Sequence, residues 1–182
     1  DDDVLIDNIR IADSFSEAIR LGAEVYAELG DVLEDEYGLA ARNVGDEGGY
    51  SPPGMDDPRD AFDAMVQAIE ACGLEGVFSF AIDAAGSHFY DQETGRYSLM
   101  GEELSVSELA AFYEELEASY PLVSIEDPFD EEDFEAFADL TASMDAQIVG
   151  DDLFVTNPAR LQSGIEKGAA NALLLKVNQV GT

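Results

Sequence analysis

Basic residues are scarce in this chain. Its 182 residues include 8 Lys or Arg against 41 Asp or Glu, which gives a formal net charge of -33 and a pI near 4.1. Proteins bind nucleic acid with clustered Lys and Arg, because contacts to phosphate supply much of the affinity. The composition therefore excludes a nucleic-acid partner.

Cysteine and long apolar segments are also nearly absent. The one cysteine, Cys72, has no second cysteine with which to form a disulfide inside the chain. No N-terminal stretch has the pattern of a signal peptide, and no apolar run approaches the roughly 18 residues that span a membrane. These absences predict a cytoplasmic protein without a membrane span.

The abundant acids have two candidate roles. Residues 97–159 contain 17 Asp or Glu and no Lys or Arg. Such acids either bind cations or form the solvated coat that keeps halophilic proteins soluble in concentrated salt. Most of them fall on the polar faces of predicted helices, so we interpret most of the acids as a halophilic coat. The hydrophobic content of 46% is ample for a folded core.

Helical and short apolar segments alternate along the chain. Capping pairs, Ser14 with Glu17 and Ser105 with Glu108, begin two of the helices. The first predicted helix has a face of Phe15, Ile19, Gly22, Tyr26 and Leu29, and the second has a face of Phe62, Met65, Val66, Ile69 and Cys72. The third begins at Ser105, the fourth covers about 131–143, and the fifth runs from Asn157 to near Gly168. The predicted strands are 77–83, 122–126, 147–150 and 172–176, with a surface hairpin over 89–98. Strands separated by single helices predict an α/β fold with a parallel sheet covered on both faces.

Each of the four predicted strands ends on an ionisable residue. These residues, separated by 43, 25 and 25 positions, are Asp83, Glu126, Asp151 and Lys176. In a parallel α/β sheet, and above all in a (β/α) barrel, the carboxyl ends of the strands lie on one face, so the four side chains are expected to converge. For a single strand, the simpler interpretation is that the polar residue marks where the strand re-enters solvent. Four strands in phase weigh against that interpretation.

The chemistry of the four side chains follows from their charges. Three carboxylates held together repel one another unless a cation lies among them, and a ligand set made only of oxygens favours Mg²⁺ or a similar hard ion. Lys176 is a candidate base, because a nearby metal charge and desolvation both depress the pKa of an ammonium group. The set suits removal of a proton next to a carboxylate, with the ion stabilising the enolate-like intermediate.

A glycine-rich segment, residues 43–53, could add a further carboxylate. Its glycines leave the backbone free around Asp46 and Glu47, so a carboxylate on this segment could reach a site. The segment lacks the Gly-Lys-Ser ending of a phosphate-binding loop, and it is not a dinucleotide fingerprint. On composition alone, a plain glycine-rich turn is the favoured interpretation.

Five stretches together resemble a known family. In chain order they are GDEGGYSP, AIDAAGSHFY, SIEDPF, VGDDLFVTNPARL and LLLKVNQVGT. At these separations they closely resemble the enolases, the phosphopyruvate hydratases of glycolysis, from about Ala12 to Thr182. The resemblance implies the Mg²⁺-dependent interconversion of 2-phosphoglycerate and phosphoenolpyruvate. It also implies that Lys176 removes the proton alpha to the carboxylate and that Glu47 assists departure of the beta-hydroxyl, while Asp83, Glu126 and Asp151 hold the magnesium that binds the substrate carboxylate.

The resemblance also sets an expectation for domain organisation. Residues 1–182 are expected to be an incomplete catalytic domain, a partial (β/α)8 TIM-type barrel with about five of its eight strands. The family's smaller N-terminal α+β domain, the last barrel strands and the later groups that hold phosphate and a second magnesium are expected to lie outside the chain. We therefore expect the isolated chain to be inactive. The family further implies a homo-oligomer in the cytoplasm, with a cell-surface or secreted pool possible.

Two other interpretations stay open at this point. The first is another enzyme of the enolase superfamily that uses the same metal ligands on a different substrate. The GDEGG loop and the single lysine of LLLKVNQ weigh against it, since relatives often have a Lys-x-Lys pair on an earlier strand. The second is a non-enzymatic acidic surface or adhesion module that binds partners or divalent ions without specificity.

Overall fold

The computed structural model describes residues 3–9, 12–45 and 48–180. These residues divide into two compact units. The N-terminal unit is Ile6–Ser79, and the C-terminal unit begins at Phe80 and also includes the start of the first strand. Within the described ranges, no helix combines the length and the apolar character that crossing a membrane requires.

The five predicted helices and the four predicted strands of the parallel sheet occur in the expected order, and the structure adds strands at the N-terminus and after the hairpin. The strands are β1 (Asp3–Ile9), β2 (Phe78–Asp83), β3 (Tyr90–Asp91), β4 (Arg96–Leu99), β5 (Glu102–Leu104), β6 (Leu122–Glu126), β7 (Gln147–Gly150) and β8 (Ala172–Leu173). The helices are α1 (Phe15–Tyr37), α2 (Pro58–Ala71), α3 (Val106–Ser119), α4 (Phe134–Ser143) and α5 (Pro158–Lys167). Short 3-10 helices cover Leu39–Arg42 and Gly86–Phe89.

The main sheet confirms the predicted α/β class. Its strand order is β1-β2-β6-β7-β8, and the pairs β2 with β6, β6 with β7 and β7 with β8 are parallel. The register places Asp83 opposite Glu126, and Glu126 opposite Val149. The carboxyl ends of β2, β6 and β7 therefore lie side by side at one edge of the sheet.

The last strand is shorter than predicted. We expected a strand over 172–176, but β8 covers Ala172–Leu173 only. The Leu174 N–H still donates to the Gly150 carbonyl at 3.2 Å, whereas the Lys176 N–H donates to the Thr156 hydroxyl at 3.0 Å. Because the second bond is made to a loop side chain and not to β7, Lys176 lies beyond the end of the strand.

The helices of the C-terminal unit begin where side chains cap them. Ser105 and Glu108 form the predicted capping box of α3, and the Asn157 side chain accepts the Ala159 N–H at 2.8 Å to begin α5. The fourth helix begins at Phe134 and not near residue 131. The Asp133 carboxylate accepts the Ala136 N–H at 3.0 Å, so this aspartate is the cap and the acids before it form a turn.

The predicted hairpin over 89–98 is part of a three-stranded antiparallel sheet, β3-β4-β5. Tyr97 of β4 is fully buried, and its ring packs against Phe89, Tyr90 and Phe129. Its hydroxyl accepts the Asp130 N–H at 2.9 Å, and burial raises the pKa of the phenol. This bond joins the small sheet to the segment that follows β6.

In the N-terminal unit, α2 buries most of the predicted face, whereas α1 does not. Phe62, Met65 and Ile69 of α2 are buried. On α1 the predicted face is wrong, because Phe15 is 81% exposed and Ile19 is 59% exposed. The residues of α1 that are buried are Leu21, Val25, Gly30 and Leu33. Leu33 packs with Ala41 and Ala64, and Leu29, at the end of the predicted face, packs against this cluster.

Candidate active site

Three carboxylates converge at the carboxyl ends of β6 and β7. One oxygen from each of Glu126, Asp127 and Asp151 lies within 4.8 Å of the others. Asp127 and Asp151 are buried and Glu126 is half-buried. Glu126 is the last residue of β6, and Asp151 directly follows β7, so the sheet itself sets the spacing of these two groups.

Asp83 lies on the neighbouring strand. It ends β2, and its Cα pairs with that of Glu126 in the parallel register. Its Oδ1 accepts the Ala85 N–H at 3.1 Å, which fixes the carboxylate against the turn after the strand. Asp83 acts electrostatically on Glu126, since its charge is one cause of the raised pKa of that residue.

The charge within this group is poorly balanced. Burial, and to a smaller extent the carboxylates of Asp83, Asp127 and Asp151, together raise the pKa of Glu126 to about 7, with Lys176 acting in the opposite direction. A carboxylate with such a pKa sits where negative charge is destabilised. A divalent cation among these oxygens would remove that destabilisation, so the donor set fits a hard metal ion.

Asp127 has a different role from its two neighbours. One of its oxygens accepts the Asp152 N–H at 2.7 Å, and the other accepts the N–H groups of Asp151 and Leu153 at 3.2 and 3.4 Å. Burial raises the pKa of Asp127 to about 6, against the effect of these backbone donors. Because both oxygens already accept hydrogen bonds, this carboxylate shapes the loop after β7.

Sequence reasoning missed Asp127. Its only signal is that it directly follows Glu126 in SIEDPF, and strand alternation would point it away from the site. The backbone of Asp127 has φ of 41°, in the left-handed region, and this turns its side chain towards the loop after β7.

Lys176 forms an ion pair with Asp151, one of the three carboxylates. Its Nζ donates to Asp151 Oδ2, and its side chain is 43% exposed whereas that of Asp151 is 10% exposed. This hydrogen bond is the main cause that raises the pKa of Lys176, and desolvation acts the other way. From the sequence we expected desolvation and a nearby metal to depress the pKa of Lys176. The pairing with Asp151 raises the pKa instead.

Two further polar residues surround this pair, and sequence reasoning missed both. The Gln179 amide donates to Asp151 Oδ1 at 3.1 Å, and the Thr156 hydroxyl donates to Gln179 Oε1 at 2.8 Å. No periodicity signals these residues, because both lie outside strands and helices.

Glu47 lies outside the described residues, but the segment on either side of it is anchored within the N-terminal unit. Val44 and Tyr50 form an antiparallel bridge, and the Gly45 N–H donates to the Gly49 carbonyl at 2.8 Å. The Tyr26 hydroxyl donates to the Gly48 carbonyl at 2.7 Å. These bonds hold Val44, Gly45, Gly48 and Tyr50 close to one another and to α1.

Comparison with known proteins gives the family. The sequence profile of the enolase C-terminal TIM barrel domain matches residues 4–182. The chain belongs to the enolase family. Its parallel sheet is accordingly part of a TIM barrel, and the predicted resemblance is confirmed.

Curated relatives named enolase come from several archaea. The enolase of Methanopyrus kandleri is 55% identical over 174 residues, that of Methanococcoides burtonii 56% over 173, and that of Methanocaldococcus jannaschii 54% over 171. These alignments cover 93 or 94% of this chain but 40% of each relative. The chain therefore spans about 40% of the length of the enolases it matches.

Proposed function

We propose that this chain contributes the metal ligands and the catalytic base of an enolase. The intact protein would be a carbon-oxygen lyase that catalyses the reversible, Mg²⁺-dependent dehydration of 2-phosphoglycerate to phosphoenolpyruvate. The observation that carries this proposal is the ion pair between Lys176 and Asp151, beside Glu126, in a chain of the enolase family.

Asp83, Glu126 and Asp151 would hold Mg²⁺. Each ends or directly follows a strand of one parallel sheet, and all three are carboxylates, which suit this ion. Asp127 is left out of the ligand set, because three backbone N–H groups of the loop after β7 hold its oxygens, whereas the donors to Asp151 are side chains of Lys176 and Gln179. When bound, the ion would supply positive charge that stabilises the negative charge on the carboxylate of the reacting substrate.

Lys176 and Glu47 would move the protons. The hydrogen bond to Asp151 raises the pKa of Lys176, and this effect would be lost with Asp151 engaged as a metal ligand. Lys176, as the neutral amine, would then take the proton alpha to the substrate carboxylate, and the electrons of that C–H bond would form the new carbon-carbon double bond. Glu47 gives a proton to the beta-hydroxyl, which leaves as water. The role of Glu47 rests on the GDEGG motif alone.

The chain provides a matched test of the base, since it has a second lysine. Lys176→Ala in the intact protein should lower kcat for 2-phosphoglycerate by about 100-fold or more, the usual range for losing a general base. Glu47→Gln should do the same. Lys167→Ala is the control, because Lys167 lies in the last turn of α5 with Nζ 5.0 Å from the centre of the Phe134 ring. The rate of phosphoenolpyruvate formation measures turnover, and circular dichroism checks that each variant is folded.

Each alternative gives a different result in that assay. Near-normal turnover by Lys176→Ala would show that Lys176 is not the catalytic base. An intact wild-type protein that is folded but inactive on 2-phosphoglycerate would favour another substrate within the superfamily or the non-enzymatic acidic module. The relatives named enolase support the proposed enolase activity over these two alternatives.

The remaining expectations belong to this proposal. We infer that residues 1–182 are an incomplete barrel domain, that the intact protein is a cytoplasmic homo-oligomer, and that its source is a halophile. Because the chain spans about 40% of its relatives, the 182 residues assayed alone should show little or no turnover. A rate equal to that of the intact protein would contradict this.

A further inference from the structure

The loop between β7 and α5 holds two neighbouring residues in an unfavourable conformation. Val155 has φ of 44° and Thr156 has φ of 54°. Both are β-branched, and such residues rarely adopt the left-handed region. Backbone strain of this kind persists only where surrounding contacts impose it, and it concentrates at functional sites.

The contacts that impose this conformation lie on either side of the pair. Phe154 is 2% exposed and packs so closely that a Cβ on Gly164 would lie 2.3 Å from its ring. Arg160 Nε donates to the Leu153 carbonyl at 2.6 Å, and the Val155 N–H donates to the Asp151 carbonyl at 2.7 Å. On the other side of Thr156, the Asn157 N–H donates to the Phe154 carbonyl at 2.8 Å, so the loop is held both before and after Thr156.

The strained conformation brings the Thr156 hydroxyl to two partners. Thr156 Oγ1 accepts the Lys176 N–H at 3.0 Å and donates to Gln179 Oε1 at 2.8 Å. Gln179 Nε2 then donates to Asp151 Oδ1 at 3.1 Å, and the Lys176 ammonium contacts Asp151 Oδ2. The bonds form a closed ring through Lys176, Thr156, Gln179 and Asp151.

The chemistry of residue 179 matters in this ring. A neutral amide accepts from Thr156 with its oxygen and donates to Asp151 with its nitrogen, so both ends are satisfied. A glutamate, which differs by one atom, would place another carboxylate against Asp151. In a chain with 41 acids, an amide at this position is the group that completes the ring without adding charge.

We propose that Thr156 and Gln179 are positioning residues for the site. Thr156 fixes the backbone of Lys176, and Gln179 fixes the carboxylate of Asp151 so that Oδ2 faces the lysine. This inference rests on the proposed function for its catalytic consequence, whereas the positioning itself is independent of turnover.

Hydrogen exchange measures the first contact directly. In the intact protein, Thr156→Val keeps the shape of the side chain but removes the hydroxyl, and the Lys176 amide should exchange about tenfold faster, as expected for loss of one hydrogen bond. Thr156→Ser should restore the wild-type rate. Thr141→Val is the matched control, because the buried Thr141 hydroxyl has no hydrogen-bond partner among the described residues.

Calorimetric titration with MgCl₂ measures the second contact. Gln179→Leu removes the amide, and the affinity for Mg²⁺ should fall about tenfold or more, as is typical when a partner of a metal ligand is lost. Thr141→Val should bind as the wild type does. Unchanged exchange in Thr156→Val together with unchanged affinity in Gln179→Leu would overturn the proposal.

Turnover separates positioning from a purely structural role. Thr156→Val should lower kcat for 2-phosphoglycerate with little change in KM, and Thr156→Ser should recover it. Faster exchange without any loss of kcat would show that Thr156 fixes the backbone of Lys176 without any effect on catalysis, and that result would overturn the catalytic part of the proposal. A wild-type protein without turnover on 2-phosphoglycerate would contradict the proposed function. Exchange of the Lys176 amide and the affinity for Mg²⁺ would still test whether Thr156 and Gln179 position Lys176 and Asp151.

Discussion

Glu126 is a half-buried acid among other acids, and its protonation should govern how stability depends on pH. Its pKa is raised to about 7, whereas a glutamate in an unfolded chain titrates near about 4.3. Between these values the folded protein holds a proton that the unfolded chain has lost, so the free energy of unfolding falls as pH rises. Asp127, with its pKa raised to about 6, acts in the same direction.

We therefore expect the intact protein, in a chelator, to unfold at a lower temperature at pH 8 than at pH 5.5. Glu126→Gln should show a smaller decrease, and Mg²⁺ added at pH 8 should recover much of the loss in the wild type. Thermal unfolding followed by circular dichroism measures both effects. Glu114→Gln, on the exposed side of α3, should retain the wild-type decrease. An equal decrease in Glu126→Gln would show that this residue is not the cause.

At the same scale, the sequence predicted some residues of the candidate site and missed others. Asp83, Glu126 and Asp151 are predictable because strand ends follow from apolar runs, and the structure brings Glu126 and Asp151 together. Thr156 was missed because its contacts depend on a positive φ, which sequence periodicity does not encode. The ligand and catalytic roles of the predicted residues stay predictions.

At the scale of elements, a glycine of strand β7 and a glycine of helix α5 both make room for the Phe154 ring. A Cβ on Gly150 would lie 2.6 Å from the Phe154 ring, and one on Gly164 would lie 2.3 Å from it. Alanine in place of a glycine inside a helix normally stabilises by about 1 kcal/mol. Here the ring has no space to yield, since Phe154 is buried.

Gly164→Ala should therefore destabilise the intact protein, by about 1 to 2 kcal/mol after the gain in helix propensity is subtracted from the cost of overpacking. Urea denaturation gives this value. Gln162→Ala, an exposed change on the same helix, should stay within about 0.5 kcal/mol of the wild type. If Gly164→Ala were stabilising, the close contact with Phe154 would not constrain the helix.

The starts of α3 and α5 were predictable from sequence, whereas the start of α4, the buried face of α1 and the end of the last strand were not. Ser105 and Asn157 cap α3 and α5 as expected, since capping depends on residues three or fewer positions apart. The buried face of α1 depends on which partner packs against it, and Phe15 and Ile19 lie on the stripe without a buried contact. Strand β8 ends early because the Lys176 N–H bonds to a loop side chain.

At the scale of the whole molecule, the net charge of -33 opposes a compact state. Salt weakens this repulsion, since the Debye length falls from about 10 Å at 0.1 M to about 3 Å at 1 M. We expect the unfolding temperature of the intact protein to rise between 0.1 and 2 M KCl. Replacing Glu102, Glu103, Glu114 and Glu115, all exposed, with Gln should reduce that rise. An unfolding temperature that does not respond to KCl would argue against the halophilic coat.

The contacts around the ion pair also follow an order in time. Asp127 meets the loop that begins 24 residues later, and Asp151 meets Lys176 a further 25 residues on. Domains form from the N-terminus as the chain is synthesised, so each partner is already made when the next one leaves the ribosome. Gln179 closes the hydrogen-bonded ring last. Synthesis that pauses before Lys176 would leave the Asp151 carboxylate without its lysine and its amide donor, and the nascent chain would hold its acids together before its base is in place.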